Sequence, residues 1–155
     1  MNEFDPNAPA SDENVNPVTR LTQDECWEML CSNEFGRLAY HLAGEVHIVP
    51  VNYATDGERL YFRTAEGSKL LGVVMNADVA FEIDTITEAA ATSVVLRGRA
   101  ELLEGDEEES VEQLPLRPWV PTLKFNVVAI TPNPDEMTGR SFNLTRPWQR
   151  LRTDV

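Results

Sequence analysis

The chain has 155 residues, 42% of them hydrophobic, which is enough for one ordinary domain with a real core. Twenty-six acidic residues against thirteen basic ones give a net charge of −13, which argues against a nucleic-acid or anionic-membrane surface, since both need clustered Lys and Arg. No apolar run approaches transmembrane length and the acidic N-terminus lacks an apolar stretch, so the expectation is a soluble cytoplasmic protein.

Residues 1–18, "MNEFDPNAPASDENVNPV", hold too few apolar side chains to offset the entropy of ordering and read as a mobile tail. Order is expected from "LTQDECWEML", where Thr22 and Glu25 have capping-box spacing and open a helix with Trp27, Leu30 and Cys31 on or near one face. The two cysteines, Cys26 and Cys31, stand roughly 140° apart around that helix. That suits neither a metal pair nor a disulfide, and they read as partly buried thiols in a reducing compartment.

After "NEFG" the hydrophobic period changes. "RLAYHLAGEVHIVPVNYATDGERLYFRT" reads as three short strands joined at Ala43-Gly44 and Asp56-Gly57. Pro50 has no N–H to donate, so its strand is expected at an edge, a bulge or an opening in the sheet. Residues 67–76 read as a short helix, "DVAFEID" as a strand, and "SVVLRGRAELLE" as a longer strand that bends at Gly98. "GDEEESVEQLPL" is an acidic helix whose charges face solvent and suit its N-terminal end. "TLKFNVVAITPNPDEMTGRSFN" gives a long strand, a Pro-rich turn and a last strand. The whole is mostly β within an α+β class: six or seven antiparallel strands and a few short helices, arranged as a small closed or split β-barrel.

The stretch "YFRTAEGSKLLGVVMN" concentrates chemistry. The chain has only two lysines, and Lys69 stands beside Ser68 at the start of the expected helix, after a turn at Gly67. Alternation along "LYFRT" puts Tyr61 and Arg63 on one face and Phe62 and Thr64 on the other. A helix start offers N–H groups to an anion, hydroxyls add donors, lysine adds a point charge, and arginine can hold two oxygens. These are the parts of a phosphate cradle. A Ser N-cap followed by a solvated Lys has the same pattern, and the pattern does not separate the two.

The succession "VPVNY…G…LYF…T…GSK…N…V.F..D" resembles the flavin-binding split barrel of the pyridoxamine 5′-phosphate oxidase-like family, and more narrowly the actinobacterial-type branch that includes nitroimidazole-resistance proteins. The resemblance runs over roughly residues 20–142 and makes residues 19–145 a flavin-binding domain followed by a C-terminal tail, 146–155. It implies an FMN phosphate held by Ser68 and Lys69 with Arg63 and Thr64 assisting, and a flavin ring lined by Pro50, Val51 and Asn52. Phe62 packs either beside the cofactor or in the core. The resemblance further implies a homodimer with the cofactor at its interface and a small-molecule substrate. The catalytic residue is not named by it.

The function it implies is an FMN-dependent oxidoreductase passing a hydride or electrons between flavin and a small planar substrate, with the deazaflavin F420 as alternative cofactor. Flavin binding without turnover, or haem binding through His41 or His47, is the alternative of another class. Metal ligation is not expected, because neither histidine has a cysteine or second histidine at ligand spacing. In true pyridoxamine phosphate oxidases a further segment with Arg and His recognises substrate phosphate. No histidine follows His47, and Arg146, Arg150 and Arg152 form no matching motif, which argues against pyridoxal-phosphate synthesis. Trp119, Trp148 and Arg140 are aromatic or charged groups that such a site could use.

Overall fold

The computed structural model describes residues 18–65, 78–115 and 125–144. The helix expected over 67–76, with Ser68 and Lys69, lies outside the described residues, as do Trp119, Trp148, residues 1–17 of the N-terminal tail and all of the C-terminal tail.

In chain order the elements are β1 (Val18–Leu21), α1 (Gln23–Ser32), β2 (Phe35–Leu42), β3 (Glu45–Asn52), β4 (Ala54–Thr55), β5 (Leu60–Ala65), β6 (Asp78–Ile86), β7 (Ala90–Leu103), α2 (Asp106–Val111) and β8 (Phe125–Asn143). Helix α1 starts where its sequence says it should. Thr22 Oγ1 accepts from the Glu25 N–H at 3.2 Å, and Glu25 Oε1 accepts from the Thr22 N–H at 3.0 Å. Its buried stripe is Cys26 and Leu30, spaced i, i+4, while Trp27 is half-buried and Cys31 exposed. The helix is therefore turned slightly from the face expected to carry Trp27, Leu30 and Cys31.

The strands form one antiparallel sheet in the order β3-β2-β6-β7-β8-β5-β4, with β1 paired to the later half of β8. It is the expected split β-barrel, with eight strand segments. The short β1 and the two-residue β4 are additions, and the two strands expected at the C-terminal end run as one. The Pro-rich stretch between those two is a bulge rather than a turn. Leu96 pairs with Met137 and Gly98 with Pro132, so residues 133–136 loop out opposite Arg97. Asn133 Nδ2 donates to Glu136 Oε2 at 2.7 Å across the loop, and Asp135 takes a positive φ of 63°. Gly98 makes the bulge possible, because a Cβ there would stand 2.4 Å from the Thr131 carbonyl oxygen.

Ladder order explains why the sheet curls. β3 ends one side of the sheet and β4 the other, yet Tyr53 alone separates them in the chain. The two edges must therefore meet. Inside the curl lies the main core, with Leu38, Phe62, Phe81, Ile83, Leu96 and Ile130 among its members. A second cluster sits on the outer face of β5 and β8, where Tyr61, Val127 and Ala129 pack with Leu103 and with Val111 of α2. Strand β5 is thus buried on both faces. Among the described residues no helix is long and apolar enough to cross a membrane.

Gly98→Ala forces a methyl group against backbone that cannot swing away. It is expected to lower stability by about 1–3 kcal/mol, read in urea unfolding as a lower midpoint with an unchanged slope.

Candidate functional site

The described residues singled out in the sequence for cofactor binding fall where the ladder opens. β4 pairs Ala54 with Tyr61 and Thr55 with Leu60. Continued, that register would set Asn52 opposite Arg63, but β3 has already turned to β2, where Asn52 pairs with Phe35 and Val51 with Gly36. β3 and β5 thus become the two lips of the split. Pro50, Val51 and Asn52 border one lip, and Arg63 and Thr64 the other.

Individual burial divides these residues. Pro50 is exposed and Asn52 half-buried, while Val51 packs against the main core. Arg63 is half-buried beside Val127, with its Nε shut away from solvent. Thr64 is 5% exposed and pairs with Asn126. Phe62, at 2% exposure, belongs to the main core, which is the second of the two roles its sequence left open.

Tyr53 fixes the fork of the split. Its hydroxyl donates to the Leu30 carbonyl at 2.7 Å, its N–H donates to the Glu34 carbonyl at 2.8 Å, and its ring meets Phe81 edge-on at 5.1 Å. Burial pushes the phenol well above its ordinary pKa, so the hydroxyl stays protonated and remains a donor. The turn between β4 and β5 is held by Asp56. Its carboxylate accepts from the Glu58 and Arg59 N–H groups, both at 2.9 Å, and from the Tyr61 hydroxyl at 2.6 Å. Burial alone would raise the Asp56 pKa, but the bond from Tyr61 and the backbone donors outweigh it and the value falls.

Beside the fork, Arg37 bridges two strands: Nε donates to Glu82 and Nη2 to Asp84, each at 2.6 Å. The bond to Glu82 contributes most to raising the guanidinium pKa. A cavity of about 670 Å³ opens here, between the end of α1, the start of β2, β4 and the end of β6. Sequence reasoning missed it, because its walls come from segments far apart in the chain. His41 and His47 are not brought together. His41 pairs with Val46 and His47 with Tyr40, so they point to opposite faces, and His47 stacks on Tyr40 at 5.1 Å. Arg140 is exposed on β8 between Arg20 and Ser93.

Residues 22–141 match the sequence pattern of the family described as pyridoxamine 5′-phosphate oxidase. The chain belongs to that family. An uncharacterised protein of Mycobacterium tuberculosis is 41% identical over 98 residues, spanning 63% of this chain and 87% of the relative. A Corynebacterium glutamicum structure described as a candidate pyridoxamine 5′-phosphate oxidase is 40% identical, with a TM-score of 0.73, and covers 84% of this chain and 98% of its own. The FAD binding protein from Mycobacterium smegmatis is 33% identical, also at a TM-score of 0.73, over 82% of this chain and 100% of its own.

In this family member the Tyr53 hydroxyl is the tie between the fork and α1. Tyr53→Phe strands the buried Leu30 carbonyl and is expected to cost roughly 1–3 kcal/mol. Urea unfolding followed by tryptophan fluorescence checks it, since half-buried Trp27 lies on the same helix.

Proposed function

We propose that the chain is an FMN-dependent oxidoreductase, holding the flavin at the split of the barrel and passing a hydride or electrons between it and a small planar substrate. The observation that carries this reading is the placement of Asn52 and Arg63 on opposing lips. A flat ring joined to a phosphate needs an extended wall at one end and a cation at the other. β3, at the end of the sheet, turns one row of its peptide groups outward, and Arg63 on β5 supplies a partly desolvated guanidinium.

On this reading Arg63 and Thr64, with Ser68 and Lys69 beyond them, hold the phosphate, and Pro50, Val51 and Asn52 orient the ring. Bound flavin supplies the redox chemistry, while the protein binds it, orients it and keeps water from it. The 33% identical relative, described as an FAD binding protein, favours FAD as a second reading, since FAD carries the same riboflavin phosphate. F420 is the less favoured cofactor, because its oligoglutamyl tail meets a chain of net charge −13. Titration with FMN, FAD and F420 in turn tests the choice. A perturbed flavin spectrum saturating at a single FMN per chain supports the proposal, and preference for F420 or binding of none overturns it.

Lys69→Ala is expected to weaken FMN binding by about 1.5–3 kcal/mol, the usual size for a hydrogen bond to a charged group. Quenching of flavin fluorescence reads the dissociation constant, and an unchanged value removes Lys69 from the site.

The reading also includes a homodimer. Val46 and Ile48 are 84% and 70% exposed and lie on one face of edge strand β3 together with Pro50. An apolar edge of this kind invites a partner. Ile48→Glu should shift sedimentation from dimer to monomer and lower flavin affinity with it.

A further inference from the structure

We propose that the cavity at the Tyr53 fork is a binding site for a small, flat organic cation. Its volume, about 670 Å³, lies within the roughly 300–1,000 Å³ usual for small-molecule pockets. What distinguishes it is the balance of charge and donors along its walls.

Arg37 is the one basic residue among the described residues that line the cavity, and Glu82 and Asp84 already hold it. Asp84 and the exposed Glu34 both line the same space, so the carboxylates exceed the cations. The C-terminal end of α1 also enters the wall, and its last turn carries no basic residue to offset the negative end of the helix dipole.

Lining donors are committed to local backbone. The Ser32 hydroxyl donates to Glu28, the Asn33 amide to Met29, and the Thr55 hydroxyl to Arg59. An anion entering here would meet few available donors and a repulsive field. A cation would meet carboxylates and Phe35, a large aromatic left 39% exposed, whose ring face attracts positive charge. A metal ion would need several ligating side chains, and no group of three or more occurs among the described residues. A flat body with a positive charge satisfies both features of the wall.

None of Pro50, Val51, Asn52, Arg63 or Thr64 lines the cavity, so this proposal stands apart from the flavin reading. The two sites are neighbours, since Phe35 pairs with Asn52.

The cavity contains its own reporter. Cys31 lines it and is exposed, whereas Cys26, the second cysteine, is fully buried and its thiol is pushed up first by that burial. Alkylation of the native, full-length protein by iodoacetamide, followed by mass spectrometry, therefore reads Cys31. The N-methylnicotinamide cation serves as probe and neutral nicotinamide as its control.

The cation is expected to slow alkylation saturably at low salt, with an affinity about tenfold above that of nicotinamide. Glu34→Gln should remove most of that preference and leave the weak effect of nicotinamide unchanged. Asp84→Asn should act in the same direction while Glu82 still holds Arg37. Equal protection by the two probes, no protection by millimolar cation, or a preference that survives both substitutions would overturn the proposal.

Discussion

The structure depends on a single covalent constraint: Tyr53 is the only residue between the strands that end the two sides of the sheet. A seven-strand path whose ends are one residue apart cannot lie flat, and the twist native to paired strands gives it a direction in which to curl. The curl creates the interior that Leu38, Phe62, Phe81 and Leu96 fill. The same residue anchors α1 through its hydroxyl and the start of β2 through its N–H. The split, the cavity and the seating of the helix are therefore consequences of one joint.

Charge is arranged around this joint with little direct contribution to stability. Arg37 and its two carboxylates are partly exposed, with side-chain exposures of 31%, 29% and 46%. Solvent screening reduces such pairs to about 0–1 kcal/mol each. Their value is geometric. Arg37 and Glu82 are register partners across β2 and β6, so the ion pair holds the guanidinium in one place and removes it from competition for anions. Among the described residues that line the cavity the carboxylates then outnumber the cations, while Arg63 lies on the far lip of the split.

Much of this was legible in local sequence. Thr22 and Glu25 specify a capping box by spacing, Ala43-Gly44 fits the two-residue hairpin that joins Leu42 to Glu45, and Gly98 marks a real irregularity. Pro50 correctly announces an edge strand. What was not legible depends on distant partners. "VTRL" has too weak a pattern to declare itself a strand until β8 pairs with it. "TPNPDE" has turn composition, yet β7 runs past it continuously and converts the turn into a bulge. The site divides in the same way: the alternation of Arg63 and Thr64 was readable from "LYFRT", but their position across from Asn52 follows from where β3 abandons β5. The cavity joins residues from 31 to 115 and has no signature in any one segment. Family resemblance, by contrast, rested on the order of several weak pieces, and the match over residues 22–141 agrees with it.

The most direct measurement is hydrogen exchange by mass spectrometry on the protein with and without FMN. The account predicts that the cofactor slows exchange together in the segments around Pro50 to Asn52 and around Arg63 to Ala65, the two lips of the split. Protection confined to one lip, or falling elsewhere while both remain unchanged, would contradict a flavin site built at the opening beside Tyr53.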